Sequence, residues 1–314
     1  MGSRSLRNFA VNIESTVPQR NSKSRHPSRP SHPEDRQAAH RDGRPQGKPS
    51  SSRPHHGKPP HGRAQGGRSH GGQSWIWGRH AVLGALANDR RTFRRLLLAR
   101  GEEAGLPEDL PIRPEIVDRE TIARTLPEGA THQGFALLAD PLPEIGVADI
   151  LTRAEKAPNA IVVMLDQVTD PQNVGAIVRS AAALGALGVV MTEAHAPPLE
   201  GALAKAASGA LERIPLARVP NLVRALEELK AEGFWVAGLE AEAPKTLADA
   251  KLTGRIVLVL GAEGTGLRRL TRERCDWLVR IPLSGVVESL NVSAAAACAL
   301  YELARLGPGS EKPR

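Results

Sequence analysis

The chain has 314 residues, of which 40% are hydrophobic and 3% aromatic, and its formal net charge is +8. Two cysteines without a CxxC pair, and no apolar run of about 18 residues, exclude a disulfide-stapled scaffold and a membrane span of usual length. We therefore expect a cytoplasmic protein of about two domains, with Cys275 and Cys298 buried and reduced.

The positive charge is concentrated at the N-terminus. Residues 1–73 carry 14 Lys and Arg against four Asp and Glu, a net of +10, whereas the other 241 residues carry 28 against 30. This stretch is rich in Pro, Gly, Ser and His and poor in large apolar residues, so it predicts a disordered tail. It is either a salt-sensitive polyanion-binding arm or a solubilising extension. Its histidines lack metal-ligand spacing with cysteine, so no metal site is predicted.

Residues 74–140 predict a small α/β domain. The pattern indicates a helix over 79–88, a strand over 93–99, a strand near IRPEIV, a helix around DRETIARTL and a strand over 134–139. A linker and a first helix follow over 141–158, and the prolines of DPLPEI are typical of a hinge or linker.

Residues 159–307 predict a second domain, followed by a flexible C-terminus at 308–314. Four continuous apolar runs, at 161–165, 187–191, 234–239 and 256–260, alternate with helices near 174–185, 201–209, 220–232 and 291–305. Such a pattern favours a parallel sheet with helices on both faces. Ligands bind beyond the carboxyl ends of such strands, and three polar clusters lie at these ends.

The first cluster is LDQVTDPQNVGAIVRS. Asn173 precedes a helix, where it either caps free N–H groups or serves a functional site. Arg179 falls in a helix that is apolar over most of its surface, so its guanidinium needs a partner. That partner is either a structural carboxylate or the phosphate of a ligand.

The second cluster, LVLGAEGTGLRRLTRER, places Glu263 among three glycines that permit close backbone approach and positive φ: Gly261, Gly264 and Gly266. Its spacing matches neither the dinucleotide fingerprint nor a phosphate P-loop. Four arginines follow, which fit either a solvated helix face or a phosphate-contacting patch: Arg268, Arg269, Arg272 and Arg274.

The third cluster, IPLSGVVESLNVSAAAACALYEL, follows a strand that we predict to end at Ile281 and Pro282. Ser289 or Asn291 caps the small-residue helix that comes next. The loop also offers backbone N–H and C=O groups beside apolar walls, an arrangement that suits an adenine and a ribose.

In this order, the motifs NxGAIxR, GAEGxGL and IPLxGxxESLNVS resemble those of the SpoU/TrmH family of S-adenosylmethionine-dependent RNA ribose 2′-O-methyltransferases. The likeness covers residues 160–305, and GRHAVLGAL with THQGFALLA resembles the family's L30e-like substrate-binding domain. The resemblance implies a SPOUT-type trefoil-knotted parallel sheet and a homodimer with a shared site. Without it we would predict an ordinary doubly wound sheet, because knots are rare.

The resemblance also implies residue roles. S-adenosylmethionine would contact the main chain of Gly261, Ile281 and Leu290, and Arg179 would activate the ribose hydroxyl. Because arginine is a poor base, we favour electrostatic stabilisation by Arg179, with a phosphate or water taking the proton. The supporting side chains would be Asn173, Glu263, Ser289 and Asn291.

The implied reaction is methylation of a guanosine ribose in large-subunit (23S) rRNA, either free or within a precursor particle, without membrane involvement. A tRNA ribose methyltransferase is the alternative in the same class. A non-catalytic ribosome-assembly factor is disfavoured because it need not retain the polar motif residues, and an oxidoreductase because the dinucleotide fingerprint is missing. With few aromatics for base stacking, we expect RNA contacts from basic residues such as Arg79 and His80.

Overall fold

The computed structural model describes residues 73–103, 106–107 and 109–306. The predicted C-terminal segment 308–314 and all but the last residue of the predicted tail lie outside the described residues. None of the helices in these ranges combines the length and the hydropathy that a membrane crossing requires.

The N-terminal part is a four-stranded sheet with two helices. Its elements are β1 (Ser74–Trp77), α1 (Arg79–Leu86), β2 (Phe93–Ala99), β3 (Pro114–Val117), α2 (Arg119–Thr125) and β4 (Phe135–Ala139). The strand order is β1-β4-β2-β3, with β4 antiparallel to both neighbours and β2 parallel to β3. The predicted helices and strands of this part are present, whereas β1 was not predicted. Its likeness to L30e stays a prediction.

The C-terminal part is built on seven parallel strands. They are β5 (Ala160–Asp166), β6 (Gly188–Thr192), β7 (Leu216–Val219), β8 (Trp235–Leu239), β9 (Lys245–Thr246), β10 (Arg255–Gly261) and β11 (Trp277–Arg280). Their order in the sheet is β7-β6-β5-β10-β8-β11-β9. The four apolar runs are confirmed as strands, whereas β7 and β9 were not predicted.

Helices cover both faces of this sheet, as the sequence predicted. They are α3 (Val147–Ala154), α4 (Pro171–Ala183), α5 (Ala202–Ala207), α6 (Leu222–Ala231), α7 (Leu247–Ala250), α8 (Arg269–Glu273) and α9 (Val292–Leu306). On one face Ile177 of α4 and Leu300 of α9 join the core. On the other face Ile150 of α3 and Leu226 of α6 form a second core. The trefoil knot stays a prediction.

The two parts share one hydrophobic core, which joins Val82 and Phe135 to residues of the C-terminal part. A buried ion pair lies at the same junction, where Arg91 Nη2 is 2.7 Å from Glu212 Oε1. Asn88 Nδ2 also donates to Glu212 Oε2 at 2.7 Å. Arg91 Nη1 donates to the carbonyl of Asp140, the first residue of DPLPEI, so the linker is held at this point.

The two cysteines differ in environment. Cys275 is partly buried, and its burial raises the pKa of the thiol to about 12. Cys298 is exposed on α9, so the expectation that both thiols are buried is wrong for Cys298. The reason is that α9 buries only one face, while Cys298 lies on the other.

Candidate active site

Three residues from the three polar clusters meet in a hydrogen-bonded triangle. Asn173 Nδ2 donates to Glu263 Oε1 at 3.0 Å. Asn291 Nδ2 donates to Asn173 Oδ1 at 2.9 Å and to Glu263 Oε1 at 2.9 Å. The fold thus brings together side chains that lie in three distant segments of the chain.

Asn173 reaches this triangle because it does not cap α4. Asp170 is the N-cap, and its carboxylate accepts from the backbone N–H of Gln172 at 3.4 Å and of Asn173 at 3.1 Å. Pro171 takes the first helical position, where its missing N–H costs nothing. The capping interpretation of Asn173 is therefore wrong, and its side chain is available to Glu263.

The side chain of Asn291 both caps a helix and takes part in the triangle. Its Oδ1 accepts from the backbone N–H of Ser293 at 2.9 Å and of Ala294 at 3.4 Å, which caps α9 as predicted. Its Nδ2 group is left for the triangle. The start of α9 is therefore tied directly to the position of Glu263.

The loop at residues 261–267, here called the glycine loop, carries Glu263 and folds back on itself. Ala262 N donates to Gly266 O at 3.2 Å, and Gly266 N donates to Ala262 O at 2.9 Å. A Cβ on Gly261 would lie 2.2 Å from the carbonyl carbon of Gly266, so only glycine fits. Gly264 and Gly266 have φ of 83° and 66°, as the sequence led us to expect.

A buried carboxylate, Asp166 at the end of β5, anchors the far end of this loop. It is fully buried and accepts from Arg268 N at 2.9 Å and Arg268 Nε at 2.5 Å. We did not predict a role for Asp166. The available sign was an acidic residue that ends an apolar strand.

A cavity of about 1000 Å³ opens beside the glycine loop. All but two of the predicted site residues line it: Gly261, Glu263, Ile281, Ser289, Leu290 and Asn291. Asn173 stands behind Glu263 and is not part of the lining. The sequence missed the segment 240–242 after β8, including Glu240, whose carboxylate is 2.8 Å from Arg272 Nε.

The charge of this lining favours a cation. Of the described part of the chain, four glutamates and one arginine, Arg272, line the cavity. Apolar walls come from Leu239, Leu260 and Ile281. The cavity therefore suits a ligand that combines an apolar ring with positive charge. Within the described ranges, no cluster of three His, Cys, Asp or Glu side chains is arranged to hold a metal ion.

Arg179 is not part of this arrangement in a single chain. Its side chain is exposed, on the same stripe of α4 as the exposed Gln172 and Ala183. Of the carboxylates that the structure describes, none forms a salt bridge with it. The structural ion pair considered from the sequence is thus not found there, and α4 is less apolar around its circumference than predicted.

The arginines after the glycine loop are all paired with carboxylates. Arg268 pairs with Asp166, Arg269 with Glu273, Arg272 with Glu240 and Arg274 with Glu227. The four differ in location, because Arg272 lines the large cavity whereas Arg268 and Arg269 line a second one. They are therefore not a uniform solvated face.

The two N-terminal segments GRHAVLGAL and THQGFALLA also contact each other. Arg79 N donates to Gln133 Oε1 at 3.3 Å, and the Arg79 guanidinium lies 5.2 Å from the ring centre of Phe135. Lys205 of α5 donates to the same Gln133 oxygen at 2.5 Å. His80 is exposed at this end of α1. Basic groups from both parts of the chain are thus gathered near one loop.

Comparison with known proteins gives two family matches. A model of the SpoU rRNA Methylase family matches residues 160–301, and a model described as RNA 2′-O ribose methyltransferase substrate binding matches residues 75–145.

Similar relatives include proteins named 23S rRNA (guanosine-2′-O-)-methyltransferase RlmB. The one from Photobacterium profundum is 39% identical over 237 residues, covering 73% of this chain and 96% of the relative. The one from Photorhabdus laumondii is 40% identical over 244 residues, covering 73% and 97%. Among solved structures, the SpoU methyltransferase AviRb from Streptomyces viridochromogenes in complex with AdoMet is similar. It has a TM-score of 0.61 and 26% identity, over 74% of this chain and 90% of AviRb.

Proposed function

This chain belongs to the SpoU rRNA methylase family, and we propose that it methylates the 2′-hydroxyl of a guanosine in 23S rRNA, using S-adenosylmethionine. The observation that carries the proposal is the triangle of Asn173, Glu263 and Asn291 at the edge of a large cavity. The names of the relatives and the AdoMet complex of AviRb support the substrate and the cofactor.

The cavity fits S-adenosylmethionine in size, polarity and charge. When bound, this cofactor supplies a methyl group on a positively charged sulfur, which the excess of glutamates around the cavity would favour. The main chain at Gly261, Ile281 and Leu290 would hold the adenine and ribose, between the apolar walls. The tight turn at Gly261 keeps this backbone accessible, because no side chain intervenes.

The triangle would orient Glu263 towards the ligands. Both asparagine amides donate to Oε1, and no hydrogen bond within the described residues uses Oε2. Oε2 is thus available to accept a hydrogen bond from an N–H or O–H group of the ribose or the cofactor. Ser289 lines the same cavity and would complete this supporting set.

Arg179 would act across a homodimer interface, because it is exposed on its own chain and lies outside that chain's cavity. Small or apolar exposed residues on α9, Ala294, Cys298 and Tyr301, offer a surface for such pairing. The guanidinium would bind the phosphate beside the target and stabilise the developing alkoxide. The proton would leave to that phosphate or to water, since arginine remains protonated.

Three finer features complete the proposal. The loops at 261–267 and 281–291 would belong to a trefoil knot that wraps the cofactor. Residues 74–140 would be an RNA-binding domain, with Arg79 and His80 near the gathered basic groups. The protein would act in the cytoplasm, on free rRNA or a precursor particle.

The test is transfer of labelled methyl groups from S-adenosylmethionine to 23S rRNA transcribed in vitro, and separately to transcribed tRNA. We expect label in the rRNA. Label in tRNA alone would instead support a tRNA ribose methyltransferase. Cofactor binding with no transfer to either RNA or to a precursor particle would support a binding protein.

A further inference from the structure

A second cavity, of about 400 Å³, lies at the same edge of the C-terminal sheet, beyond β5, β6 and β7. Its polar lining consists of Gln167, Thr192, Asn221, Arg268, Arg269 and Thr271. We propose that it binds a second nucleotide of the RNA substrate, with the phosphate on the two arginines and the base beside the amides. This inference rests on the proposed function, since it presumes an RNA substrate.

The size and position of the cavity suit such a ligand. Its volume is within the range of roughly 300–1,000 Å³ that is usual for small-molecule sites. The carboxyl edge of a parallel sheet is where ligands of this architecture bind. Leu222 and Leu270 line the cavity with apolar side chains, and Leu270 is 54% exposed, so its surface is accessible to a base.

The charge of this cavity is opposite to that of the large one. Among the residues that the structure describes, two arginines line it and no carboxylate does. Arg269 is 75% exposed, and its partner Glu273 is outside the lining. Arg268 uses its Nε for the buried Asp166, and no hydrogen bond within the described ranges uses its terminal nitrogens. Two guanidinium groups with spare donors are the groups that bind phosphate.

Several neutral donors and acceptors of the lining are also unused. Asn221 caps α6 through Oδ1, at 3.1 Å from Arg224 N, so its Nδ2 group has no partner among the described residues. The same holds for the side-chain amide of Gln167. The buried hydroxyl of Thr271 is likewise without a partner in the part of the chain that the structure describes. Amide groups of this kind recognise the edges of unstacked RNA bases.

The glycine loop separates the two cavities. Gly266 lines the large cavity and Arg268, two residues later, lines the small one. Asp166, which holds Arg268, is also paired with Gly261 across β5 and β10. A nucleotide bound at Arg268 would therefore lie next to the loop that carries Glu263. Single-stranded RNA would then place its target beside the cofactor in the large cavity and a neighbouring nucleotide in the small one.

The test compares Arg269→Glu with Arg274→Glu. Both arginines are exposed, both pair with a glutamate, and only Arg269 lines the small cavity. The two substitutions change the charge equally, and neither residue is in the proposed catalytic machinery. Each variant is assayed for methyl transfer to 23S rRNA transcribed in vitro, for binding of that RNA, and for binding of S-adenosylmethionine.

We expect Arg269→Glu to raise the KM for rRNA about tenfold and to lower the salt dependence of binding by about one phosphate contact. Cofactor affinity and kcat should be unchanged, and Arg274→Glu should alter KM less than about twofold. As a second probe, a photoreactive benzoylphenylalanine at Leu270 should cross-link to bound rRNA.

The outcomes separate the two proposals. Equal effects of the two substitutions on rRNA binding, with no cross-link from position 270, would overturn the second nucleotide site while methyl transfer still supported the function. Absence of methyl transfer by the wild-type protein to 23S rRNA and to a precursor particle, with rRNA binding weakened only by Arg269→Glu, would overturn the proposed function and support the nucleotide site.

Discussion

Asn291 donates from Nδ2 to Oδ1 of Asn173 at 2.9 Å, although 118 positions separate the two residues in the chain. Both amides also donate to the same oxygen of Glu263. The bond between the asparagines fixes which amide atoms face the carboxylate. Since an amide can rotate by 180°, each asparagine holds the other in the orientation that donates to Glu263.

Replacing Asn173 by aspartate tests this arrangement. The change keeps size but substitutes an acceptor for the donor that faces Glu263, so two carboxylates would confront each other. We expect kcat, measured well below the melting temperature of the variant, to fall about a hundredfold through misplacement of Glu263. Asn159→Asp, a change of the same kind beside Gly254 and away from the cavity, is the control. Normal kcat in Asn173→Asp would contradict the role of the triangle.

The glycine loop gives a second matched pair, Gly261→Ala and Gly264→Ala. At position 261 the new methyl would meet backbone atoms of Gly266, so overpacking of about 1–3 kcal/mol must distort the loop. We expect cofactor affinity, measured by calorimetry, to fall about tenfold or more. At position 264 the space is open, so the only cost of alanine is the positive φ, which lowers the stability of the loop by about 1 kcal/mol. Equal loss of affinity in both variants would show that close approach at Gly261 is not what matters.

The buried pair between Arg91 and Glu212 predicts a stability effect at the junction of the two parts. Arg91→Met leaves Glu212 buried without its charge partner and should lower the free energy of unfolding by about 3–5 kcal/mol. Arg95→Met breaks an exposed pair with Glu115 and should change it by less than about 1 kcal/mol. Urea denaturation measures both. Similar midpoints for the two variants would mean that the junction does not depend on the ion pair.

The raised pKa of the Cys275 thiol predicts that this thiol reacts slowly with alkylating reagents near neutral pH. Burial disfavours the charged thiolate and raises its pKa to about 12, so almost no thiolate exists in the folded protein at pH 8. Iodoacetamide should leave Cys275 unmodified in the native protein and modify it in urea, as followed by peptide mass spectrometry. Native labelling at the rate seen in urea would show that the thiol is accessible and ionised normally.

The parallel sheet could be predicted because its main strands are buried on both faces and appear as continuous apolar runs. The short strand β7 was missed because Pro215 and Pro220 flank it and exposed Arg218 interrupts it. β9, with two residues, has no pattern to detect. These strands exist because the sheet supplies partners for them, which local sequence does not reveal.

The motifs pointed to residues that the structure places at the large cavity, Glu263 and Asn291 among them. Their link to Asn173 could not be predicted, because it depends on side chains that only the fold brings together. The roles of these residues stay predictions. The exposure of Arg179 was predictable in principle, since it lies seven residues after the polar Gln172, about two helical turns. The alanines near Arg179 made the helix look apolar on all sides in the sequence, so the polar stripe of Gln172 and Arg179 was not recognised.

The most direct test of the account is to locate the methyl group. Wild type and Arg179→Ala would be incubated with labelled S-adenosylmethionine and 23S rRNA transcribed in vitro, followed by alkaline hydrolysis. A 2′-O-methyl group blocks cleavage at its own position, so we predict label in an alkali-resistant dinucleotide that contains methylguanosine. The label should be largely lost with Arg179→Ala, although cofactor affinity is retained. Label released as alkali-sensitive mononucleotide, or full activity in Arg179→Ala, would contradict the account.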